Sequence, residues 1–488
     1  MLEAHLSASK NDPTCGVLLP TPQRICKANS IGTIVTMRRI LILMVAIAAT
    51  GCGGSSPTTS SRGGHPPPIY PFTGANTLQF VHEFGTNTYV AESRQGDTIT
   101  GLTQDASGNL LLAGYTAGNL TGYSGLVGLL KGTLYKMDAS GNQLWEKELT
   151  TGAGDTVDGV AVTTAGIVVV GATFGAYPGA SNPNGIDEAF VAEFDSSGNL
   201  QWLKQYPSAV DVSPETICAD SSGNLIFAGE ISDSTGGQDI FIEKVDTTGN
   251  VQWEKTYGTG AVDLMNSITV DENGNVYSVG ITSGAFPGTH YGPLGQPFVL
   301  KLDGGTGATE WMQQFGGNTN PPIFYPSALQ SVSGGKLDIF GGNVMQITNN
   351  VASNIQIEVM QMDAGTGSPL WNFEFGAGNW NIPGQNLAVD ANGDIYVGGM
   401  TRGALASGVT APTQDIFLAK ISATGSGIWA QQIGTGTDGP AIESQVSIPV
   451  FLSLGNQSVF MGGMTSGQFP GFSNPNKDIE LFLAKFGQ

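Results

Sequence analysis

The sequence is short of the residues on which most catalytic and metal sites depend. It holds four cysteines and four histidines in 488 residues. From residue 78 onward, the histidines, arginines and cysteine are His82, His290, Arg94, Arg402 and Cys218. Two histidines are too few for a histidine-rich zinc or copper site, and two arginines cannot form the arginine triad of a sialidase. The chain also has no Gly-x-Ser-x-Gly nucleophile motif and no phosphate-binding loop.

Basic residues are scarce as well. Lysine and arginine together number 19 against 40 aspartates and glutamates, which gives a formal net charge of −21. A chain of this charge lacks the basic patches that nucleic acid requires, so we exclude nucleic acid as a partner. The charge is equally unsuited to adhesion on anionic lipid, whereas it favours solubility or the binding of cations.

No apolar run is long enough to span a bilayer. The candidate, residues 40–49, is far shorter than the roughly 20 residues that a membrane helix needs. It follows Met37-Arg-Arg39 and ends in small residues before Cys52, which is typical of a signal peptide over residues 37–51. We interpret residues 1–36 as an upstream, non-native segment from a misassigned start.

The end of the signal peptide, Ala49-Thr-Gly-Cys52, resembles the lipobox of bacterial lipoproteins. The resemblance implies that Cys52 is lipidated and becomes the N-terminus, and Gly53 after it implies the outer membrane or cell surface. An ordinary secretory signal with an unrelated cysteine is the alternative. Residues 52–77 are rich in Gly, Ser, Thr and Pro and predict a flexible tether. We therefore expect an exported protein that meets the membrane through its lipid anchor only.

A repeated pattern fills the chain from residue 78 to its end. Its marker is an aromatic residue that recurs seven times, at Phe80, Trp145, Trp202, Trp253, Trp311, Trp371 and Trp429. Each unit contains four alternating segments bounded by Asp, Gly and Asn, which is the pattern of β-strands and hairpins. Four strands in a repeat of this size predict an all-β fold, a seven-bladed β-propeller of four-stranded blades over 78–488.

Tight turns between the strands share the sequence Asp-x-x-Gly-Asn. They begin at Asp105, Asp138, Asp195, Asp220, Asp246 and Asp271. The aspartate caps its own backbone, and glycine and asparagine accept a positive φ. These turns lack the alternating acids and the distal glutamate of a calcium loop. We predict structural hairpins and no cofactor, with calcium the one ion left open.

The order of the strand types predicts how the ring closes. The chain begins with a fourth-type strand at 78–84 and ends with a third-type strand at 482–486. We predict that 78–84 pairs with the C-terminal blade and removes its exposed edge. The recurring Trp should pack against the next blade as core. The recurring lysines of the third strands should pair with turn aspartates, at Lys136, Lys244, Lys301, Lys420 and Lys485.

One longer motif links this pattern to a known repeat. Gly280-Ile-Thr-Ser-Gly-Ala-Phe-Pro-Gly288 recurs in related form at 463–471 and 171–179. It resembles the SBBP-type β-propeller repeat of bacterial surface and lipoprotein chains, which implies the fold but no particular activity. Residues 303–311 and 363–371 are also similar to the repeats of quinoprotein dehydrogenases and of the β-barrel assembly lipoprotein. Those propellers usually have eight blades, whereas the marker aromatic residue occurs seven times in this chain.

The long and varied loops of the predicted blades share one face, where we expect a ligand to bind. The candidate ligand-binding residues on this face are Asn184, Asp187, Asp263, His290, Tyr291, Tyr325, Trp380, Asp438, Asn474 and Asn476. Amides, carboxylates and exposed aromatics suit carbohydrate or peptide recognition. A structural role in its own loop stays open for each of them, and Asp187 has the position of a cap before its strand.

Two kinds of function remain. The first, which we favour, is a monomeric, non-enzymatic cell-envelope lipoprotein whose loop face binds a protein or carbohydrate ligand. The second is a propeller enzyme, a polysaccharide hydrolase or lyase, with a carboxylate pair drawn from Asp155, Asp263, Asp438 and Glu443. An envelope-assembly scaffold is a further alternative. We assign no catalytic residue and no metal ligand.

Overall fold

The computed structural model describes residues 72, 77–85, 97–124, 129–232, 237–287, 295–315, 323–348, 351–376, 381–401, 403–405, 415–434, 450–455, 457–465 and 480–487. These residues form seven antiparallel sheets of four strands each. The fold is the predicted seven-bladed β-propeller. Within these ranges, no helix is long and apolar enough to cross a membrane. The predicted upstream segment, the signal peptide, Cys52 and most of the tether lie outside the described residues.

Blades one to six each consist of four consecutive strands, with the innermost strand first. Blade one contains β2 (Thr98–Gln104), β3 (Leu110–Thr116), β4 (Lys131–Met137) and β5 (Gln143–Leu149). Blade two contains β6 (Asp155–Val162), β7 (Ile167–Thr173), β8 (Glu188–Phe194) and β9 (Leu200–Gln205). Blade three contains β10 (Val212–Ala219), β11 (Leu225–Ser232), β12 (Gln238–Val245) and β13 (Val251–Tyr257).

The next two blades follow the same order along the chain. Blade four contains β14 (Asp263–Val270), β15 (Val276–Thr282), β16 (Gln296–Leu302) and β17 (Thr309–Gln314). Blade five contains β18 (Ile323–Val332), β19 (Lys336–Thr348), β20 (Val351–Asp363) and β21 (Pro369–Phe375). Blade six contains β22 (Asn381–Val389), β23 (Ile395–Thr401), β24 (Asp415–Ile421) and β25 (Gly427–Gly434).

Blade seven joins the two ends of the domain. It contains β26 (Phe451–Gly455), β27 (Ser458–Thr465), β28 (Glu480–Gly487) and the first strand of the domain, β1 (Leu78–Phe84). β1 pairs with β28 in antiparallel register, with Val81 opposite Ala484. The predicted closure is confirmed.

The seven innermost strands form the closed inner ring of the propeller, because each contacts the next and β26 contacts β2. Five of them carry a bulge at the same point, at Thr100, Asp158, Glu215, Asn266 and Ser327. Bulges re-aim a side chain. Here the Thr100 hydroxyl donates to the carbonyl of Val157 (2.7 Å) and the Asn266 amide donates to that of Pro326 (2.5 Å), each in the following blade. Side chains thus tie the ring together from blade to blade.

The recurring tryptophans pack on the following blade, as predicted. The indole N–H of Trp253 donates to the carbonyl of Gly304 at 3.1 Å, and that of Trp145 donates to Ser196 at 3.3 Å. Both acceptors lie in the turn between the third and fourth strands of the next blade. A glycine with positive φ in that turn, Gly307 or Gly198, lets the ring approach closely. The tryptophan that repeats in the sequence therefore marks a contact that repeats between neighbouring blades.

The third-strand lysines follow the prediction in part. Lys136, Lys244 and Lys420 form ion pairs with Asp105 (2.8 Å), Asp220 (2.8 Å) and Asp390 (3.1 Å). Lys301 instead pairs with Glu310 at 2.8 Å, and Asp271 accepts a hydrogen bond from the Tyr277 hydroxyl. Lys485 donates to the carbonyl of Ala139 at 3.1 Å in blade one.

Phe72, within the tether predicted over 52–77, docks on the domain. Phe72 is 4% exposed and lies edge-on to Phe375, with ring centroids 5.1 Å apart, and to Phe373 at 6.0 Å. Burial of an aromatic ring contributes about 2 kcal/mol. The chain is therefore anchored on the outer strand of blade five before it enters blade seven.

Candidate functional site

The two faces of the propeller differ in how their polar groups are used. On one face lie the tight turns, in which each aspartate binds its own turn. The Asp138 carboxylate, for example, accepts the backbone N–H groups of Ser140 (2.8 Å) and Asn142 (2.9 Å) and the Asn142 amide (2.8 Å). These bonds, led by that of the Asn142 amide, lower the pKa of Asp138. The carboxylates of this face serve their own hairpins, which supports the structural reading of these turns.

The opposite face carries the loops from second to third strands and from each blade to the next; we call it the long-loop face. At its base, a buried acid or amide stands at the start of a blade. It accepts a hydrogen bond from the hydroxyl of a threonine at the end of the second strand. Thr173 donates to Asp155 at 2.5 Å, and Thr401 donates to Asn381 at 2.8 Å. Thr116 donates to Asp97 in the same way. This bridge fixes the point where each of these blades begins.

The same threonine also starts the loop that follows it. In the motif Gly-x-Thr-x-Gly, the second glycine donates its N–H back to the threonine hydroxyl. Gly175 does so to Thr173 at 3.0 Å, and Gly284 does so to Thr282 at 2.9 Å. The SBBP-like motif of the sequence thus encodes a loop start held by a buried threonine.

A glutamine at the end of the fourth strand clamps this loop. The Gln205 amide donates to the carbonyl of Gly175 (2.9 Å) and to Glu188 (2.7 Å), and accepts the N–H of Tyr177 (3.0 Å). Gln314 makes the corresponding bonds in blade four and Gln432 makes them in blade six. The next apolar side chain of the loop is buried, as Tyr177 is against Phe190 with ring centroids 5.0 Å apart. This clamp was not predicted from the sequence, although a glutamine at one repeat position was its signal.

Four of the ten candidate ligand-binding residues lie within the described residues. Asn184 is exposed at the tip of a loop that Asn182 closes by donating to the carbonyl of Ile186 at 2.7 Å. Tyr325 is half-buried in the inner strand of blade five, and burial raises its pKa. Asp187 and Asp263 are 2% and 0% exposed. The structure therefore leaves Asn184 facing solvent and places the two acids inside the loop bases.

Asp155 and Asp263, the described members of the proposed carboxylate pair, sit at equivalent positions of blades two and four. Asp155 accepts from Thr151 N–H (2.7 Å) and from the hydroxyls of Thr150 (3.0 Å) and Thr151 (2.8 Å). Asp263 accepts from Thr259 N–H at 2.8 Å. Both carboxylates are thus bound by the loop that precedes their strand. The candidates outside the described residues are His290, Tyr291, Trp380, Asp438, Asn474 and Asn476, together with Glu443.

Blade five departs from the other blades on this face. β19 and β20 have 13 residues each, whereas the second and third strands of blade four have 7 each. The last residues of β19 and the first of β20 pair with each other, with Gln346 opposite Ser353 and Thr348 opposite Val351. We call residues 345–348 and 351–356 the blade-five ribbon; it projects past the point where blade four ends its hairpin.

Two glutamates and two asparagines meet at the base of this ribbon. Glu358 of β20 lies opposite Glu374 of β21. The Asn343 amide donates to Glu374 at 3.1 Å, and the Asn372 amide donates to Glu358 at 3.2 Å. Glu358 is 4% exposed, and this burial raises its pKa to about 7. This cluster was not predicted from the sequence.

Two further observations limit the chemistry of the described residues. Among them, no group of three or more His, Cys, Asp or Glu side chains could hold a metal ion. Desolvation raises the pKa of the Cys218 thiol to about 12, so the thiolate that acts as a nucleophile is strongly disfavoured.

Comparison with known proteins gives distant relatives. No family model matches the chain. It is 24% identical over 409 residues to the regulatory protein FlaEY of Caulobacter vibrioides, covering 72% of this chain and 41% of FlaEY. It is 27% identical over 124 residues to an uncharacterised WD repeat-containing protein of Acanthamoeba polyphaga mimivirus, covering 21% of this chain and 9% of that protein. The chain thus spans less than half the length of either relative.

Two solved structures match this chain at low sequence identity. The β-propeller domain of the Trilobed protease from Pyrococcus furiosus matches with a TM-score of 0.41 and 9% identity, over 80% of this chain and 93% of that domain. The endosialidase of phage phi92 matches with a TM-score of 0.43 and 10% identity, over 84% of this chain and 69% of the endosialidase.

Proposed function

We propose that this protein is a non-enzymatic, lipid-anchored propeller of the bacterial cell envelope, whose long-loop face binds a protein or glycan ligand. One observation carries the proposal: on the long-loop face, Asp155 and Asp263 are buried and bound by their own loops. A carboxylate pair for glycoside chemistry must face the substrate, with the two groups about 5–10 Å apart. These acids instead stiffen the loops, as a binding surface requires.

The clamped loops support the same proposal. Binding loses affinity when loops must be ordered on contact, so a rigid loop binds more tightly than a mobile one. The Gln205, Gln314 and Gln432 clamps bind the first residues of three of the long loops to their own blades. The resemblance of 280–288 to the SBBP-type repeat of surface chains agrees with this role.

A combined binding and cleavage screen tests the proposal. The purified full chain is applied to a glycan array and to polysaccharides whose depolymerisation is followed, with and without calcium. We expect binding without cleavage, weakened by Asn184→Ala on the long-loop face. Ser197→Ala, on an exposed tight turn, is the matched control and should bind as the unmodified chain does. Cleavage of any polysaccharide would overturn the non-enzymatic assignment.

The anchor is tested separately by fractionation of cells. Replacement of Cys52 by alanine removes the acylation site that the lipobox resemblance implies, so the protein should move from the membrane to the soluble fraction. Cys218→Ala, the control cysteine within the propeller, should leave the protein on the membrane. Retention of the Cys52→Ala protein on membranes would refute lipid anchoring.

A further inference from the structure

The blade-five ribbon offers open strand edges. β18 pairs with β19 as far as Ile323 opposite Val344, and β21 pairs with β20 only from Phe375 opposite Ile357. Beyond these pairs, the described residues of the ribbon pair only within the hairpin of β19 and β20, and the carbonyl of Ile355 accepts the Asn381 amide at 2.6 Å. Among the described residues, no neighbouring strand pairs with the rest of the ribbon, which therefore presents backbone N–H and C=O groups along its two sides.

The sequence of the ribbon does not protect these edges. Native proteins block an open strand edge with charged residues, proline or a bulge. From Ile339 to Ile357 the chain has no charged residue and no proline, although it is strongly acidic elsewhere. An edge of this kind is suited to bind an extended peptide that adds a strand through its main chain.

The base of the ribbon is suited to a positive charge on the bound segment. Glu358 and Glu374 are directly opposite on neighbouring strands, and like charges in this arrangement destabilise a sheet. Beside them Asn343 is 5% exposed, and its side-chain oxygen has no hydrogen-bond partner among the described residues. A buried amide oxygen without a donor is costly. Two carboxylates and a buried amide oxygen thus lie at the base of the ribbon, a set of acceptors that a cation would stabilise.

In blade three, a lysine of the protein itself acts on a similar pair. Glu243 on the third strand lies opposite Glu254 on the fourth, and the ammonium of Lys204 in blade two lowers the pKa of Glu243 against the effect of burial. The groups that act on Glu358 are instead Asn372, Glu374 and Asn343.

Blade four does not supply the corresponding cation to blade five. Lys204 and Gln313 each stand two residues after the marker tryptophan of their blade. Each also reaches the turn of the following blade, with Lys204 donating to Asn250 at 3.1 Å and Gln313 donating to the Thr366 carbonyl at 2.8 Å. Among the described residues, a neutral amide thus takes the lysine position beside blade five.

We propose that the blade-five ribbon and the acidic cluster beneath it bind an extended segment of a partner protein that carries a lysine. The segment adds to the ribbon edge, and its ammonium donates to Glu358, Glu374 and the Asn343 oxygen. A lysine ammonium has three donors, which matches these three acceptor groups. Ca²⁺ requires about six to eight oxygen ligands, more than this cluster offers. The inference rests on the proposed binding function and narrows its ligand from protein or glycan to protein.

The test uses an array of extended heptapeptides with uncharged, β-branched flanks and one central residue that is lysine, arginine, acetyl-lysine or norleucine. The full chain should bind the lysine peptides about 10-fold more tightly than the norleucine peptides, as expected for charge-assisted hydrogen bonds. Glu374→Gln should abolish most of this preference. Glu374 is exposed, so this variant should fold normally, which its melting curve will verify.

Glu254→Gln is the matched control, because Glu254 occupies the outer strand of the similar pair in blade three; it should keep the lysine preference. Equal binding of lysine and norleucine peptides, or an unchanged preference in Glu374→Gln, would overturn the inference. So would tight binding of Ca²⁺ alone that Glu374→Gln abolishes. If the glycan screen finds a ligand whose affinity is unchanged by Glu374→Gln, this inference fails while the proposed binding function stands.

Discussion

The backbone N–H of Gly487 donates a hydrogen bond to the carbonyl oxygen of Thr77 at 3.2 Å, which joins the two ends of the propeller. In the other six blades the chain passes from the third to the fourth strand through a tight turn. In blade seven this turn is replaced by a contact between residues far apart in the sequence. The stability of the ring therefore depends on how well β1 is held in blade seven.

The side chain of Val81 should be a main determinant of that closure. Val81 is 8% exposed and packs in the core cluster that blades six and seven share. Val81→Asp places an unpaired charge in this cluster, so we expect a loss of about 3–5 kcal/mol in the free energy of unfolding. Chemical denaturation measures this loss.

Gln79→Asp is the control for Val81→Asp, since Gln79 lies on the same strand and is exposed. It should change stability by less than about 0.5 kcal/mol. A chain that lacks residues 78–84 altogether should unfold at a much lower denaturant concentration. If that chain melts as the full protein does, β1 does not close the ring.

The contact of each tryptophan with the next blade makes a second prediction. A Cβ atom on Gly307 would lie 2.8 Å from the ring of Trp253, whereas a Cβ on Gly274 would meet nothing within 4 Å. Both glycines have positive φ, +68° and +85°, so replacement by alanine costs each about 1–2 kcal/mol in backbone strain. Gly307→Ala should lose about 1–3 kcal/mol more, because it also overpacks the interface. Equal losses in the two variants would contradict this account of the interface.

The sequence predicts the blades and the closure well, because each depends on a pattern that repeats. Trp253 and Gly307 recur at fixed positions, and the strand order alone requires residues 78–84 to complete the last blade. The length of the ribbon is not predictable in this way. Residues 345–356 occur once and lack turn signals at the base of the ribbon, so nothing in their pattern separates an extended hairpin from a long loop.

For the candidate site, the sequence predicts the long-loop face of the propeller but not which of its residues are exposed or lie together. Asp263 has the composition of a ligand-binding residue, but its burial depends on Thr259, which the sequence gives no reason to place over it. The Glu358 and Glu374 pair depends on the register between β20 and β21. A shift of one residue would move either side chain to the other face of the sheet, and single-sequence patterns do not determine register so closely.

Glu243 should make the stability of the propeller depend on pH. Desolvation and the neighbouring charge of Glu254 raise the pKa of Glu243 to about 7, against the effect of Lys204. Between about pH 4.5 and 7, the folded protein then holds a proton that the unfolded chain has released, so stability falls as pH rises through this window. Glu243→Gln removes this dependence.

The expected size of that effect can be checked by denaturation at two pH values. At pH 8, Glu243→Gln should be more stable than the unmodified protein by on the order of 2–3 kcal/mol, and at pH 4 the two should differ little. Glu272, exposed on a turn of blade four, supplies the control; its replacement by glutamine should change stability by less than about 0.5 kcal/mol at either pH. A gain of equal size at both pH values would assign the effect to packing instead of to titration.

The glutamine clamp should control the order of its loop more than the stability of the fold. Gln205→Leu removes the bonds to the Gly175 carbonyl and the Tyr177 N–H, so the backbone of residues 174–180 should open locally. Losing these bonds costs about 1–3 kcal/mol, which corresponds to amide exchange faster by about 10-fold or more in this segment. Gln201→Leu, at an exposed position of the same strand, should leave exchange there unchanged. Faster exchange across all of blade two would show that Gln205 supports the blade itself. That result would contradict the proposal that the glutamine clamp makes the binding loop rigid.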